Sequence, residues 1–425
     1  MAFWIGALAL FGLLACWLWR RAASGQHKQG PMEEEEEEQG GCHGRADFAV
    51  GDCQLICKPS ALAQALLKSF RRCPDLEARC WAWKSWPNLQ TAAQLLWPPA
   101  QALEFARDHL ELADGGLVAL DWVVGPWEPG SRRATSPGKA ATVLLVVPNA
   151  TGRLTRAVHQ LCQMALQQGH WPVIFNRRGH NGCPLTNLRL QPFGQPADLK
   201  EAVAYIRSRH PATLLFAVSE GSGSGLLLSY LGECGSSSSL RGAACISPVL
   251  KCRDWLEGGI PWLYEQSLLL LQKRDISRYR KALREAVDME RVLRCGSLQE
   301  FEEALFCPQE RGPATTWEAY WEHNDPLRDA DKVAVPVLCL CSADDPIRGP
   351  PRDTLPWELF RSSPYFFLLL TPQGGHCGFL RKGSSPPSSS WGNAVALEYL
   401  RTLAKFFRSE ERLCRRSSRV QHRRR

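Results

Sequence analysis

Val337-Leu338-Cys339-Leu340-Cys341-Ser342-Ala343-Asp344-Asp345-Pro346 is an apolar run that ends in an acid pair. A second run, Tyr365-Phe366-Phe367-Leu368-Leu369-Leu370, leads into Gly374-Gly375-His376-Cys377-Gly378-Phe379. Short uninterrupted apolar runs bounded by turn residues read as strands buried on both faces. Upstream the same rhythm recurs at 142–147, 172–175, 214–218 and 243–247, with helical patterns at 154–168, 197–209 and 226–233 between the runs. Strands alternating with helices predict an α/β protein with a mostly parallel central sheet and helices on both faces. The stretch 250–324 breaks the rhythm with helical, aromatic-rich sequence, including Trp255, Trp262 and the run 268–271. It reads as a helical lid inserted into the sheet, its apolar residues assigned to packing.

An acid and then a histidine, each at a strand end late in the chain, is the order in which an α/β-hydrolase fold presents its acid and base. His376 is the expected base. Asp345, beside the Pro346-Ile347 turn, is the preferred acid that orients it. Asp344 competes for that role, one of the pair being free to cap the turn.

The nucleophile would precede both, in Phe216-Ala217-Val218-Ser219-Glu220-Gly221-Ser222-Gly223-Ser224-Gly225-Leu226. A strand turning sharply into a helix needs small residues two places either side of the serine. Ser219, between Ala217 and Gly221, meets a relaxed form of that rule, and Ser222, with Glu220 two residues before it, is the alternative. No G-x-S-x-G occurs, so a Gly/Ser-rich turn without a nucleophile stands beside these readings. With Ser219 as nucleophile, Glu220 supplies one oxyanion-hole backbone N–H, and Asn149 in the loop 148–152 marks the other. In Asn176-Arg177-Arg178-Gly179 the arginines are expected to brace the loop rather than to bind a ligand. Neither a phosphate loop nor a metal-ligand cluster is present, and no cofactor is expected.

Residues 2–19 are apolar and uncharged and are closed by Arg20 and Arg21, which suits one membrane-spanning helix. The lack of a basic segment before the run favours an uncleaved anchor, with the domain facing the cytosol; secretion after signal-peptide cleavage is the alternative. Residues 22–50 form an acidic linker, 51–112 a helical extension, 113–407 the catalytic-type domain and 408–425 a basic tail. Eight arginines in that tail, against Glu410 and Glu411, account for most of the formal +8 charge. No basic stripe with interleaved aromatics occurs elsewhere, which excludes nucleic acid as a partner. Seventeen cysteines, several inside apolar runs, read as buried thiols rather than a disulfide framework.

Asn88-Leu89-Gln90-Thr91, Asp114-Gly115-Gly116, Asp121-Trp122, the loop 148–152, Asn176 to Gly179, Leu226-Leu227-Leu228-Ser229-Tyr230-Leu231-Gly232, Asp344-Asp345 and Gly375 to Phe379 together resemble the AB hydrolase 4 family, over roughly residues 85–407. The resemblance implies a membrane-anchored Ser-Asp-His esterase or lipase acting on short- to medium-chain acyl esters or lipids, with the endoplasmic reticulum as one expected membrane. Members carry G-x-S-x-G-G at the turn. An ungapped count from Asp198 places Gly221 at the nucleophile position, whereas a shift of two residues places Ser219 there. The expected function is therefore a serine hydrolase of lipid metabolism. The alternative is a non-catalytic scaffold or lipid-responsive regulator with a protein partner.

Overall fold

The computed structural model describes residues 47–73, 86–96, 103–125, 142–307, 315–380 and 390–423, and residues 45–425 belong to one compact unit. The expected membrane segment, residues 2–19, and nearly all of the acidic linker lie outside the described residues. No described helix is long and apolar enough to cross a membrane.

The strands are β1 (Asp47–Val50), β2 (Cys53–Ile56), β3 (Glu104–Glu111), β4 (Leu117–Gly125), β5 (Thr142–Val147), β6 (Trp171–Asn176), β7 (Leu214–Glu220), β8 (Ala243–Ile246), β9 (Val337–Ser342) and β10 (Phe366–Thr371). They form one sheet in the order β1-β2-β10-β9-β8-β7-β5-β6-β4-β3. The six strands from β10 to β6 run parallel, and the hairpins β1-β2 and β3-β4 add antiparallel edges. This is the mostly parallel sheet of an α/β-hydrolase fold. Its middle strands are continuous apolar runs because helices cover both faces.

Outside the sheet come helices α1 (Ala61–Phe70), α2 (Pro87–Leu96), α3 (Arg156–Gln167), α4 (Ala197–Arg209) and α5 (Gly223–Cys234). Side chains along β7 alternate between two cores, as period two requires. Phe216 and Val218 pack with Leu340, Tyr399 and Leu403 on one face. Leu215 and Ala217 pack with Leu226, Leu227 and Cys245 on the other.

Between β8 and β9 lie the lid helices α6 (Cys252–Glu257), α7 (Trp262–Ser277), α8 (Arg280–Leu283), α9 (Met289–Arg294), α10 (Leu298–Phe306) and α11 (Trp317–Asn324). Most lid apolar side chains enter two small clusters, one around Tyr264, Leu269 and Phe301, the other around Tyr320 and Trp321. Trp262 and Leu270 stay exposed.

Two boundaries differ from expectation. Residues 51–112 hold α1 and α2 but also β2 and β3, which pair into the sheet, and β1 falls inside the stretch read as linker. β3 is an edge strand rich in charge and pairs on one side only, so it does not read as a buried run. After α12 (Pro351–Thr354) and α13 (Trp357–Ser362), the last helix, α14 (Trp391–Arg423), runs on through the basic tail. No Gly or Pro after Gly392 interrupts it. No disulfide joins two described cysteines, and most of them are buried.

Candidate functional site

The carboxyl ends of β7, β8, β9 and β10 converge, and the loops that follow them build the site. After β9, Asp345 is almost fully buried, and its Oδ1 accepts hydrogen bonds from the backbone N–H groups of Ile347 and Arg348, each at 2.9 Å. Its Oδ2 faces His376 Nδ1 at 2.9 Å. With Nδ1–H committed to the carboxylate, Nε2 is the atom His376 presents to the site. The His376 backbone N–H donates to Thr91 Oγ1 at 2.9 Å, and that hydroxyl donates to Pro87 O, so α2 fixes the histidine loop from behind. Asp344 turns the other way: its Oδ1 accepts from the N–H groups of Gly374 and Gly375, both at 2.9 Å, and braces the turn. Burial works against charge on both members of the pair and is outweighed by their mutual attraction. Asp345 is held below the usual carboxylate range and His376 well above the usual imidazole range.

Above His376 Nε2 stands a glycine. Gly221 follows β7 directly with φ +51°, in the left-handed region, and α5 starts two residues later. A Cβ built on Gly221 would lie 3.2 Å from His376 Nε2 and 3.9 Å from Cys377 Sγ. This is the strand–turn–helix elbow that presents a nucleophile in a serine hydrolase, and it carries no side chain. The elbow is this tight because Gly223 lies against backbone, where an added Cβ would be 2.2 Å from Pro148 O.

Neither candidate serine takes the missing place. Ser219 is still in the strand, and its fully buried hydroxyl pairs with Ser224 Oγ at 2.9 Å rather than with His376. Ser222 Oγ accepts from the Ala150 backbone N–H at 2.9 Å. The oxyanion assignments move with the elbow. The N–H following it belongs to Ser222, not Glu220, and the loop residue whose N–H turns toward it is Ala150. Asn149 instead closes its own turn, its Oδ1 accepting from the N–H and hydroxyl of Thr151 at 3.0 and 2.6 Å. The Ala150 N–H, one of the two donors an acyl transfer would use, is thus already occupied by Ser222.

Glu220, which the sequence offered only for its backbone, has a buried carboxyl beside the site. Thr155 Oγ1 lies 2.9 Å from both of its oxygens. Burial pushes it up to about 7 against the opposing pull of Thr155, His376 and Asn149. A carboxyl that holds its proton more tightly when folded contributes stability at low pH and loses it as pH rises toward the folded value. Glu220→Gln is therefore expected to abolish a fall of roughly 3 kcal/mol in unfolding free energy between about pH 4.5 and 7.5. Denaturant unfolding of both proteins across that range checks this, and parallel pH profiles would contradict it.

In the loop after β6 one of the two arginines expected to brace it does so. Arg178 bridges two carboxylates, donating through Nε and Nη2 to Asp198 at 2.6 and 2.7 Å and through Nη1 and Nη2 to Asp114 at 2.7 and 3.0 Å. Asn176 Nδ2 donates to Asp121 Oδ2 at 2.8 Å, and Asp121 also pairs with Arg107 at 2.6 Å. Sequence reasoning quoted Thr91, Ala150 and Cys377 only as parts of motifs and gave them no role. Cys377 directly follows the base in a left-handed conformation, φ +58°, and its N–H donates to Ser247 Oγ at 2.9 Å. Among the described residues no group of three or more His, Cys, Asp or Glu side chains is placed to hold a metal ion.

Human protein ABHD15 is 57% identical over 423 residues, which cover 97% of this chain and 89% of that protein. The chain belongs to the ABHD15 family of α/β-hydrolase-fold proteins. More distant relatives include human phospholipase ABHD3, 27% identical over 72% of this chain and 74% of its own, and the medium-chain fatty acid ethyl ester synthase/esterase 2 of Saccharomyces cerevisiae, 20% identical over 69% and 78%. The fold also resembles that of a Pyrococcus furiosus esterase, with a TM-score of 0.44 and 11% identity over 72% of this chain and 97% of the other. No protein-family model matches. By sequence kinship the chain is a hydrolase-fold protein of the lipase/esterase type.

Proposed function

We propose that this chain acts in lipid metabolism as a lipase-type protein that binds acyl ligands beneath its lid without forming an acyl-serine, and that its output is regulatory, through a protein partner. The observation that carries the reading is Gly221 at the elbow, opposite an Asp345–His376 pair that is otherwise fully built. An acyl-enzyme needs a nucleophilic side-chain atom at that point, and a hydrogen cannot serve. The oxyanion donor closed by Ser222 supports the same reading. The relatives that are a phospholipase and an ester synthase/esterase by name support acyl esters or lipids as the ligand class. Residues 2–19 would anchor the chain in a membrane and keep the lid near its ligands.

A second reading is favoured by the retained pair: His376 could deprotonate a water held over Gly221 and hydrolyse a bound ester directly. One experiment separates the two. The full-length chain is incubated with a radiolabelled medium-chain monoacyl ester and resolved by gel filtration. The proposal expects intact ester to co-elute and no acid to be released. Release of acid that disappears in a folded His376→Ala protein would replace it with the second reading.

A further inference from the structure

Beside the elbow, roofed by the lid, lies a cavity of about 110 Å³ whose floor is the loop after β6 and whose near wall is Ala150 and Thr151. The lid is tied over it. Tyr279 donates from Oη toward Gly179 O at 3.1 Å and Cys183 O at 3.3 Å; below it, the loops after β5 and β6 close on each other, a Cβ on Gly152 falling 2.7 Å from the His180 Cβ. Phe193, Ile276, Leu305 and Phe306 give the cavity apolar walls.

Arg177 lines this cavity and is only 6% exposed, and its Nη2 has no hydrogen-bond partner. His180 Nδ1 and Gln191 Oε1, also in the lining, are likewise unsatisfied. Among the described residues no carboxylate lies within ion-pair distance of Arg177. Its neighbour Arg178, by contrast, is saturated by Asp114 and Asp198. Glu302 and Asp198 act on Arg177 through space, but neither bonds to it, and a buried guanidinium without a hydrogen-bonded counter-ion is costly to keep. Burial lowers Arg177 to about 10, which leaves it charged at neutral pH, and lowers His180 to about 4, which leaves it neutral.

We propose that this cavity is a binding site for the carboxylate of a fatty acyl chain, with Arg177 as its counter-ion. One guanidinium fork matches one carboxylate, and the volume admits the carboxylate with several methylene groups against the apolar walls. A neutral ester would leave Arg177 unpaired. Any anion there faces Glu302, which bonds to Tyr320, and Asp275, both in the lining, and a phosphate, with up to two charges against a single cation, would be repelled more than a carboxylate. The assignment rests on the binding role proposed above and adds a ligand to it: the free acid, held next to the elbow rather than on it.

The test measures octanoate, octanol and octyl phosphate binding to the full-length chain in non-ionic detergent by equilibrium dialysis. Octanoate is expected to bind more tightly than either analogue. Arg177→Met is expected to weaken octanoate at least tenfold without changing octanol, and Arg177→Lys to restore part of the loss. Thermal unfolding checks that each variant folds. Should Arg177→Met fail to fold, Leu305→Trp, which fills the cavity from the lid side, decides instead, with an expected tenfold loss of octanoate. Octanoate binding that ignores both substitutions, octanol binding as tightly as octanoate, or octyl phosphate as the preferred ligand would overturn the assignment. Turnover of octanoyl esters by the wild-type chain would overturn the non-hydrolysing role and leave octanoate binding to judge this site.

Discussion

Gly221→Ser is expected to turn the chain into an acylating protein: p-nitrophenyl octanoate should give a burst of one acyl equivalent per chain, where the wild type gives none. The new Cβ would lie 3.2 Å from His376 Nε2, close enough that the hydroxyl falls within hydrogen-bond reach after the ring yields by a few tenths of an ångström. His376 is already oriented by Asp345 at 2.9 Å, so in an assay alkaline enough to remove the proton it holds so firmly the base needs no further change. A non-glycine residue at φ +51° costs on the order of 1–3 kcal/mol, and serine nucleophiles on such elbows bear that strain. Ser222 Oγ still occupies the Ala150 N–H in the single variant. Gly221→Ser with Ser222→Ala frees that donor and should acylate faster by roughly 10²-fold, the usual weight of one oxyanion-hole donor. Equal rates in the single and double variants would show that Ser222 does not close the hole.

Arg178→Met should be the most destabilising single change outside the apolar cores, lowering unfolding free energy by about 3–5 kcal/mol. Arg178 is 7% exposed and Asp198 5%, and the carboxylate of Asp198 would be left buried without its cation. Burial opposes charge on Arg178, but Asp198 and Asp114 outweigh it and hold the guanidinium more firmly protonated than usual. Asp114 is more accessible and also caps the N–H of Gly116, so Asp114→Asn should cost clearly less. Urea unfolding of the two variants gives the comparison; a loss below about 1 kcal/mol for Arg178→Met would mean that the bridge adds little beyond its own desolvation.

Asp345 and His376 were legible because each closes an apolar run, and a run ending in a polar turn is what a buried parallel strand looks like. The elbow was only half legible. Counting from Asp198 without gaps pointed to Gly221, while the search for a serine flanked by small residues pointed to Ser219. Which residue faces the base depends on where β7 stops and α5 begins, and Gly223 against Pro148 O sets that point through a contact between segments 75 residues apart. Ser219 reads like a nucleophile, but its register with Val147 and Cys245 keeps it inside the sheet, facing Ser224. The N-terminal strands were missed for a different reason. β1 and β2 are four residues each, and β3 carries charge along an exposed edge, so none presents a buried run. The unpaired Arg177 needs the lid placed over the loop after β6 before it can be recognised at all.

The most direct test of the empty elbow is to treat the full-length wild-type chain with a fluorophosphonate, digest it, and map any adduct by peptide mass spectrometry, with Gly221→Ser as the positive control. The geometry predicts an adduct at residue 221 in the variant and none at Ser219 or Ser222 in the wild type. A wild-type adduct at either serine that is lost with His376→Ala would show that a nucleophile reaches the base after all, and the account built on Gly221 would be wrong.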